Sequence, residues 1–227
     1  MRAMILSAGE GKRMRPLTLD RPKPLLEVAS KPLIVWHIER LVRAGIKDIV
    51  INIAYLGEQI PKALGDGSRW GVNIHYSDEI AQGGLETAGG IIKALEFLGD
   101  DTFWVINGDV WCDYEIDKSF KLRDGVLAHL LLVPNPPHNL DGDFDISSDG
   151  YLIDGDRYTF AGIGLYAPEM FDGLSVERRA LAPILREYMA KGKITAEVFM
   201  GRWYDIGTPQ RLKEINTLMS INSCQFY

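Results

Sequence analysis

Apolar segments of strand length alternate with segments of helical spacing up to about Asp109, and this alternation constrains the fold more than any other feature. Residues Ala3–Ser7 form an apolar run that stops at a glycine-rich turn, which is typical of a buried strand. In Pro32–Ala44 the apolar residues recur at helical spacing, with Gly45 as a stop signal. The sequence also predicts strands at Asp48–Ala54, Gly71–Ser77 and Thr102–Asn107, and helices at Leu56–Leu64 and Thr87–Leu98. This order is typical of an α/β fold with a doubly wound, mostly parallel sheet, whose ligand crevice lies at the carboxyl ends of the strands.

The pattern becomes richer in strands after Asp109. Residues about 134–166 read as a β-rich insertion, because turn residues at Ser148–Gly150 separate β-type stretches and a further strand begins at Tyr158. The remaining predicted elements are strands at Gly125–Val133 and Lys193–Phe199, and helices at Arg179–Lys191 and from Pro209 onward. At about 150 residues per domain, a chain of 227 residues has room for one large domain with additions. We therefore expect a single domain, 1–227, with a mixed, mostly parallel sheet.

Composition narrows the classes of partner. The chain has 25 Lys and Arg against 31 Asp and Glu, a net charge of −6, which argues against a dedicated nucleic-acid binder and against a protein that binds anionic membranes. The two cysteines, Cys112 and Cys224, form no metal-type or redox motif, and no apolar run is long enough for a membrane helix or a signal-peptide core. We expect a cytoplasmic protein that acts on small molecules.

The loop after the first strand carries an unusual concentration of positive charge. Its Gly9-x-Gly11 pattern fails the dinucleotide fingerprint, which needs a small residue where Met14 stands, and the P-loop pattern, which needs Ser or Thr after Lys12. A plain tight turn would explain the glycines alone. However, five cations and three prolines follow within Lys12–Pro24, and a stiff cationic loop suits a triphosphate. The cations are Lys12, Arg13, Arg15, Arg21 and Lys23.

Two separated carboxylates are candidate ligands of a hard cation. Asp109 follows the strand that ends at Asn107, so it lies at the predicted crevice, although an Asx turn would explain the same residues. Asp205 precedes Thr208-Pro209, which cap the last helix without needing that acid. Two such carboxylates could hold one cation that bridges phosphates.

No general base is evident, and the four histidines match no zinc spacing. A phosphate-monoester nucleophile needs no such base, because its second pKa is about 6 and it is already largely ionised at pH 7. Its attack on another phosphate requires charge neutralisation and alignment.

Four ordered motifs resemble those of the sugar-1-phosphate nucleotidyltransferases, and the resemblance spans essentially the whole chain. It implies a Rossmann-like nucleotidyltransferase fold. The motifs are Gly9-x-Gly11-x-Arg13-x-x-Pro16-Leu17-Thr18 with Pro22-Lys23-Pro24, then Leu85-Glu86-Thr87-Ala88-Gly89-Gly90, Asn107-Gly108-Asp109, and Trp203-x-Asp205-Ile206-Gly207-Thr208-Pro209.

The resemblance implies roles for the residues that bind the nucleotide. The Gly9–Arg13 loop, with Gly11 and Lys12, would hold the triphosphate through its amides and cations. Arg13 would contact the departing pyrophosphate and Lys23 the α-phosphate, which makes these two the expected catalytic residues. The base and ribose would be bound by Leu85 and Glu86.

The resemblance also implies a magnesium ion and a sugar site. Asp109 and Asp205 would hold Mg²⁺, while Asn107, Asp143 and Asp156 would face the sugar. Many relatives carry a lysine for the sugar phosphate in the β insertion, but Leu152–Thr159 contains none. We expect Arg202 to replace it in part, with Arg157 as the next candidate and a plain surface arginine as the alternative.

Within the family, the short length and the segments Leu85–Thr87, Asn135–Phe144 and Thr159–Gly164 are most similar to the members that join UTP to N-acetylmuramate 1-phosphate in peptidoglycan recycling. The products would be UDP-N-acetylmuramate and pyrophosphate. Mannose-1-phosphate guanylyl transfer, another sugar or small phosphate ester, and a catalytically dead nucleotide-sugar sensor remain as alternatives.

Overall fold

The computed structural model describes residues 1–223, which form one large sheet flanked by helices. The strands are β1 Arg2–Leu6, β2 Glu27–Val28, β3 Lys31–Pro32, β4 Asp48–Ile53, β5 Asn73–Asp78, β6 Phe103–Asn107, β7 Val110–Cys112, β8 Ala128–Pro134, β9 Phe144–Ile146, β10 Leu152–Tyr166, β11 Ile194–Val198 and β12 Trp203–Asp205. The helices are α1 Leu33–Arg43, α2 Gln59–Leu64, α3 Glu86–Leu98, α4 Ala182–Ala190 and α5 Pro209–Ser223.

The main sheet has eight strands in the order β11-β8-β10-β6-β1-β4-β5, with β9 paired to β10. Strands β5, β4, β1 and β6 are mutually parallel, and β11 is parallel to β8. Strand β10 runs antiparallel to both of its neighbours in this order, β6 and β8. The structure thus confirms the predicted doubly wound, mixed and mostly parallel sheet. Two further pairs, β2 with β3 and β7 with β12, lie outside it.

Alternation along the central strand divides the core into two layers. In β1, Ala3 and Ile5 pack on the side that includes Ile34 and Ile38 of α1, whereas Met4 packs on the side of α3. All three β1 residues are fully buried. A strand that is apolar on both faces is expected when helices cover both sides of a parallel sheet. The carboxyl ends of β1, β4 and β6 consequently share one sheet edge.

The β-rich insertion differs from its prediction. The sequence predicts one strand after the turn at Ser148–Gly150 and a separate strand that begins at Tyr158, with Asp154-Gly155-Asp156 between them. Instead β10 continues through it as one strand of 15 residues. The pairing of β9 with β10 shifts register between Ile153 and Tyr158, so an irregularity within the strand absorbs the turn residues.

Other boundaries move by a few residues. The predicted helix at Leu56–Leu64 begins only at Gln59, and the one at Arg179–Lys191 begins at Ala182. The short strands β2, β3, β7 and β12 were not predicted, because two- or three-residue strands leave no periodic pattern.

Within residues 1–223, no helix combines the length and apolar character that crossing a bilayer requires. Cys112 is buried and unpaired, and burial raises the pKa of its thiol. Cys224 lies outside the described residues.

Candidate active site

A crevice of about 480 Å³ opens where β1, β4 and β6 end. Its walls include the loop after β1, the turn before α3 and the turn after β6. A second cavity of about 290 Å³ adjoins it and shares Arg13, Asn107 and Asp109 with it. The crevice is where a doubly wound sheet binds its ligands.

The loop after β1 presents cations by burying the residue between them. Gly11 adopts a left-handed φ of 61°, and Met14 N donates a hydrogen bond of 2.8 Å to its carbonyl oxygen. Met14 is fully buried, while Lys12 and Arg13 are exposed. The large side chain that fails the dinucleotide fingerprint therefore anchors the loop to the core, and the two cations remain available to a ligand.

Lys23 and Asp109 form an ion pair inside the crevice. Lys23 Nζ lies 2.7 Å from Asp109 Oδ2, and the Lys23 side chain is only 11% exposed. Pro22 and Pro24 flank Lys23 in a short 3₁₀ turn and are themselves buried. Because the stem of Lys23 is held in this way, its amino group stays at the crevice floor.

Asp205 reaches the site through the strand pair β7–β12. Asp205 is opposite Val110 in that pair, and Ile206 N donates a 2.8 Å hydrogen bond to the carbonyl oxygen of Asp109. Asp205 Oδ2 lies 2.7 Å from Arg211 Nη1 and 3.2 Å from His138 Nε2. Asp109 immediately precedes β7 and Asp205 ends β12, so the β7–β12 pairing brings the two candidate metal carboxylates together, and each has a lysine, arginine or histidine partner.

The turn before α3 forms the opposite wall. Glu86 has a left-handed φ of 60°, and its Oε1 lies 2.9 Å from Arg178 Nε at the crevice rim. The backbone of the segment around Arg178 caps α3, since Ala88 N and Gly89 N both donate to the carbonyl oxygen of Arg179. Helix N-termini need such acceptors because their first amides have no partner within the helix.

A bulge in β10 shapes the second cavity. The register between β10 and β8 shifts between Phe160 and Gly164, and Gly162 has a left-handed φ of 74°. A Cβ at Gly162 would lie 2.6 Å from Asn107 Nδ2. Only glycine therefore lets β10 approach Asn107 so closely, and both residues line the second cavity.

Most of the residues predicted for the site are brought together. Those lining the main crevice are Gly9, Gly11, Lys12, Arg13, Lys23, Glu86, Asn107 and Asp109. Asp205 lines the second cavity. Leu85 is buried behind the wall and contributes its backbone, whose N–H donates to Glu79 Oε2 and whose carbonyl oxygen accepts from Arg179 N.

Three residues predicted for the sugar do not line either cavity. Arg202 bonds Asp113 through its Nε at 2.8 Å and lies over the ring of Trp111, on the other side of β12 from the cavity. Asp156 is exposed in the outer part of β10. Asp143 accepts a 2.9 Å hydrogen bond from Phe160 N, so it holds the cavity wall from behind.

Arg157, the second candidate for the sugar phosphate, forms an ion pair with Asp145 and is likewise outside both cavities. The structure adds Arg178, His138 and Arg211 to the candidate residues. His138 lies in the segment Asn135–Phe144 that carries the family resemblance, and Arg211 stands one helical turn after the cap residue Thr208, whose Oγ1 accepts from Arg211 N.

Among residues 1–223 no group of three or more acidic, His or Cys side chains could enclose a metal. Two carboxylates nevertheless fit Mg²⁺, which keeps several waters and is usually held by one or two carboxylates together with substrate phosphates. Asp109 and Asp205 supply this donor set beside a crevice lined with cations.

Comparison with known proteins shows which family the chain is similar to. A family model for nucleotidyl transferases matches residues 2–132. The N-acetylmuramate alpha-1-phosphate uridylyltransferase of Neisseria meningitidis serogroup B is 53% identical over 227 residues, which cover 96% of this chain and 98% of that protein. The protein of the same description from Caulobacter vibrioides is 33% identical and covers 92% of each chain.

A more distant sequence relative and a solved structure also match the chain. The mannose-1-phosphate guanylyltransferase catalytic subunit beta of Danio rerio is 29% identical, over 92% of this chain and 62% of that protein. A crystal structure from Bacillus anthracis, described as a glucose-1-phosphate thymidylyltransferase in complex with sucrose, superposes with a TM-score of 0.83 over 96% of this chain at 24% identity. With the fold, the crevice and these matches in agreement, the chain belongs to the nucleotidyl transferase family.

Proposed function

We propose that the protein joins UTP and N-acetylmuramate 1-phosphate to give UDP-N-acetylmuramate and pyrophosphate, as a step in the recycling of bacterial cell-wall sugars in the cytoplasm. The observation that carries the proposal is the 53% identity to the Neisseria uridylyltransferase, which extends over nearly the full length of both chains. The match extends over 96% of this chain, so it is not confined to one motif or to one part of the sheet.

The crevice suits a nucleoside triphosphate in one orientation. The glycine loop with Lys12 and Arg13 would bind the phosphates, and the turn at Leu85–Glu86 would bind the base and ribose. The two walls face each other across the crevice, so a nucleotide spanning it would place its α-phosphate near Lys23. Positive charge is then concentrated at the phosphates, as anion binding requires.

The reaction is a displacement at phosphorus. An oxygen of the sugar phosphate would attack the α-phosphate of UTP, and the bond to the bridging oxygen would break with loss of pyrophosphate. Lys23 would neutralise charge that develops on the α-phosphate, and Arg13 would neutralise the leaving pyrophosphate. No residue need remove a proton, since the attacking phosphate is already largely ionised at pH 7.

Asp109 and Asp205 would hold Mg²⁺, which neutralises and bridges phosphates when it is bound. Ion pairing fits this role. In the structure Asp109 pairs with Lys23, and Asp205 pairs with Arg211 and His138, and both carboxylates line the second cavity.

The sugar phosphate would occupy the second cavity. Asn107 lines it directly, and Asp143 holds its wall through Phe160 N. Arg202 and Asp156 are left out of the proposed sugar contacts, because the structure places neither in the cavity. Arg13 and His138 line this cavity, and Arg211 contacts Asp205 at its edge, so these three side chains are candidates to contact the sugar phosphate.

A matrix of activities tests the proposal. Purified protein with Mg²⁺ is supplied with each of the four ribonucleoside triphosphates, paired in turn with the 1-phosphates of N-acetylmuramate, N-acetylglucosamine, mannose and glucose. Pyrophosphate release should be greatest for UTP with N-acetylmuramate 1-phosphate. A maximum at GTP with mannose 1-phosphate would favour guanylyl transfer, which the match to the Danio rerio protein makes the second candidate. Nucleotide binding without turnover of any pair would indicate a sensor.

A further inference from the structure

A buried carboxylate connects the two walls of the crevice. Glu79 follows β5 and is 0% exposed. None of the ion pairs among residues 1–223 includes it, and burial raises the pKa of its carboxyl group. A buried carboxyl group that forms no ion pair depends on hydrogen bonds to satisfy its oxygens.

Each oxygen of Glu79 accepts a hydrogen bond from a different wall. Asn52 Nδ2 donates to Oε1 at 2.8 Å, and Leu85 N donates to Oε2 at 2.7 Å. Asn52 continues this series of hydrogen bonds, because its Oδ1 accepts from Ser7 N at 2.7 Å. Ser7 is the first residue of the phosphate-binding loop, and Leu85 immediately precedes Glu86 at the base and ribose wall.

Helix α3 packs directly against this pair. A Cβ at Gly90 would lie 2.8 Å from Glu79 Oε1 and 2.9 Å from Asn52 Nδ2. Gly90 therefore leaves the space that the two side chains fill, and their positions have little freedom. We name the hydrogen-bonded series Ser7–Asn52–Glu79–Leu85 the wall bridge; all four of its residues are buried, with Asn52 2% exposed.

We propose that the wall bridge is a positioning device that sets the distance between the triphosphate loop and the base and ribose turn. A nucleotide must meet both walls at once, so an error in this distance forfeits contacts at one end of the ligand. The proposal rests on the proposed function only in requiring that the crevice binds a nucleoside triphosphate.

Exchanging the carboxylate of Glu79 and the amide of Asn52 tests the proposal, because it reverses which of the two side chains donates the hydrogen bond between them. In Glu79→Gln the new amide would face the amide of Asn52, donor against donor. In Asn52→Asp two carboxylates would face each other in the interior. In the double variant Glu79→Gln with Asn52→Asp, the new aspartate accepts from Ser7 N and from the new glutamine, whose oxygen accepts from Leu85 N. The double variant restores the number of hydrogen bonds and the net charge of the native bridge.

The assay measures KM for UTP and kcat at a temperature where every variant is folded, as established by circular dichroism. Each single variant should raise KM for UTP about tenfold or more, in keeping with the loss of a hydrogen bond to a charged group. The double variant should return to within about threefold of the native value. Ser77→Ala, which alters a buried polar residue of β5 that is not part of the bridge, is the matched control and should leave KM unchanged.

The outcomes separate a positioning role from a structural one. Single variants with native KM for UTP would overturn the proposal, and so would a double variant that is no better than the singles. If a single variant does not fold, the double variant alone decides, because the proposal requires it to fold and to bind UTP. If the activity matrix identifies another triphosphate, KM is measured for that nucleotide, and the wall bridge is tested independently of base identity.

Discussion

Gly89→Ala should lower the free energy of unfolding of the protein and raise KM for UTP. Gly89 lies in the first turn of α3, and a Cβ there would overlap the carbonyl oxygen of Glu177. That carbonyl must retreat by about 1 Å to reach an ordinary contact distance. The segment that carries it also supplies three hydrogen bonds to the start of α3. These are Ala88 N and Gly89 N to Arg179 O at 3.0 and 3.1 Å, and Arg179 N to Leu85 O at 2.9 Å.

The size of the effect follows from these contacts. Each hydrogen bond contributes about 1 kcal/mol net, so losing all three destabilises by about 3 kcal/mol. Alanine recovers about 1 kcal/mol because it is a better helix former than glycine. We therefore expect the free energy of unfolding to fall by about 2 kcal/mol and Tm by about 4–8 °C.

Urea denaturation followed by circular dichroism measures this loss. Gly9→Ala is the control, because a Cβ there would have no atom within 4 Å and Gly9 has no left-handed φ. The same displacement should pull Arg178 from Glu86, so KM for UTP should rise severalfold in Gly89→Ala. A variant as stable as the native protein would refute the reasoning, since it would mean that the Glu177 segment does not determine how α3 begins.

Four further predictions concern charged and titratable groups. Asp109→Asn removes the charge that would balance Mg²⁺, so kcat should fall about a hundredfold or more with the circular dichroism spectrum unchanged, and native turnover across a Mg²⁺ titration would exclude Asp109 as a ligand. Lys23→Ala should lower kcat more than it raises KM for UTP, because the loop still binds the triphosphate; steady-state kinetics showing a loss of UTP affinity alone would contradict this role. Arg202→Met should leave KM for the sugar phosphate unchanged, because Arg202 is bonded to Asp113, and a raised KM would return Arg202 to the sugar site. Burial and a neighbouring arginine lower the pKa of His37 to about 3, so the unfolded chain binds an extra proton below pH 6.5. The free energy of unfolding should therefore fall as the pH drops from about 6.5 toward 3. In urea denaturation at several pH values, His37→Gln should reduce that slope by up to about 1.4 kcal/mol per pH unit.

The part of the site that could be predicted lies where strands of the parallel sheet end. The loop at Gly9–Arg13 and Asp109 follow β1 and β6, and the rule that such ends share one edge places them together without any knowledge of packing. Met14 shows the limit of motif reading. It breaks a known fingerprint, yet in the fold it is the buried anchor that holds Lys12 and Arg13 outward.

Other parts depend on contacts between segments far apart in the sequence. Arg178 reaches Glu86, 92 positions away, through a loop with no periodic pattern. The wall bridge joins Ser7 to Asn52, 45 positions away, and Glu79 to Asn52, 27 positions away. A buried Glu is rare unless it is hydrogen-bonded, and its partners are known only once the strands are in register.

The position of Arg202 could have been predicted from strand geometry alone. Side chains along an extended strand alternate between its two faces, so residues separated by an odd number of positions point in opposite directions. Trp203 and Asp205 are two apart, and both line the second cavity. Arg202 is three positions before Asp205, so it falls on the opposite face, where it packs over Trp111. Arg211 reaches Asp205 from the last helix. Residues three apart share one face of a helix, and Arg211 N accordingly donates to Thr208 Oγ1 at the start of this helix. The cation that contacts the proposed metal ligand Asp205 is therefore Arg211 of the last helix, whereas Arg202, which is closer in sequence, lies on the other face of the strand.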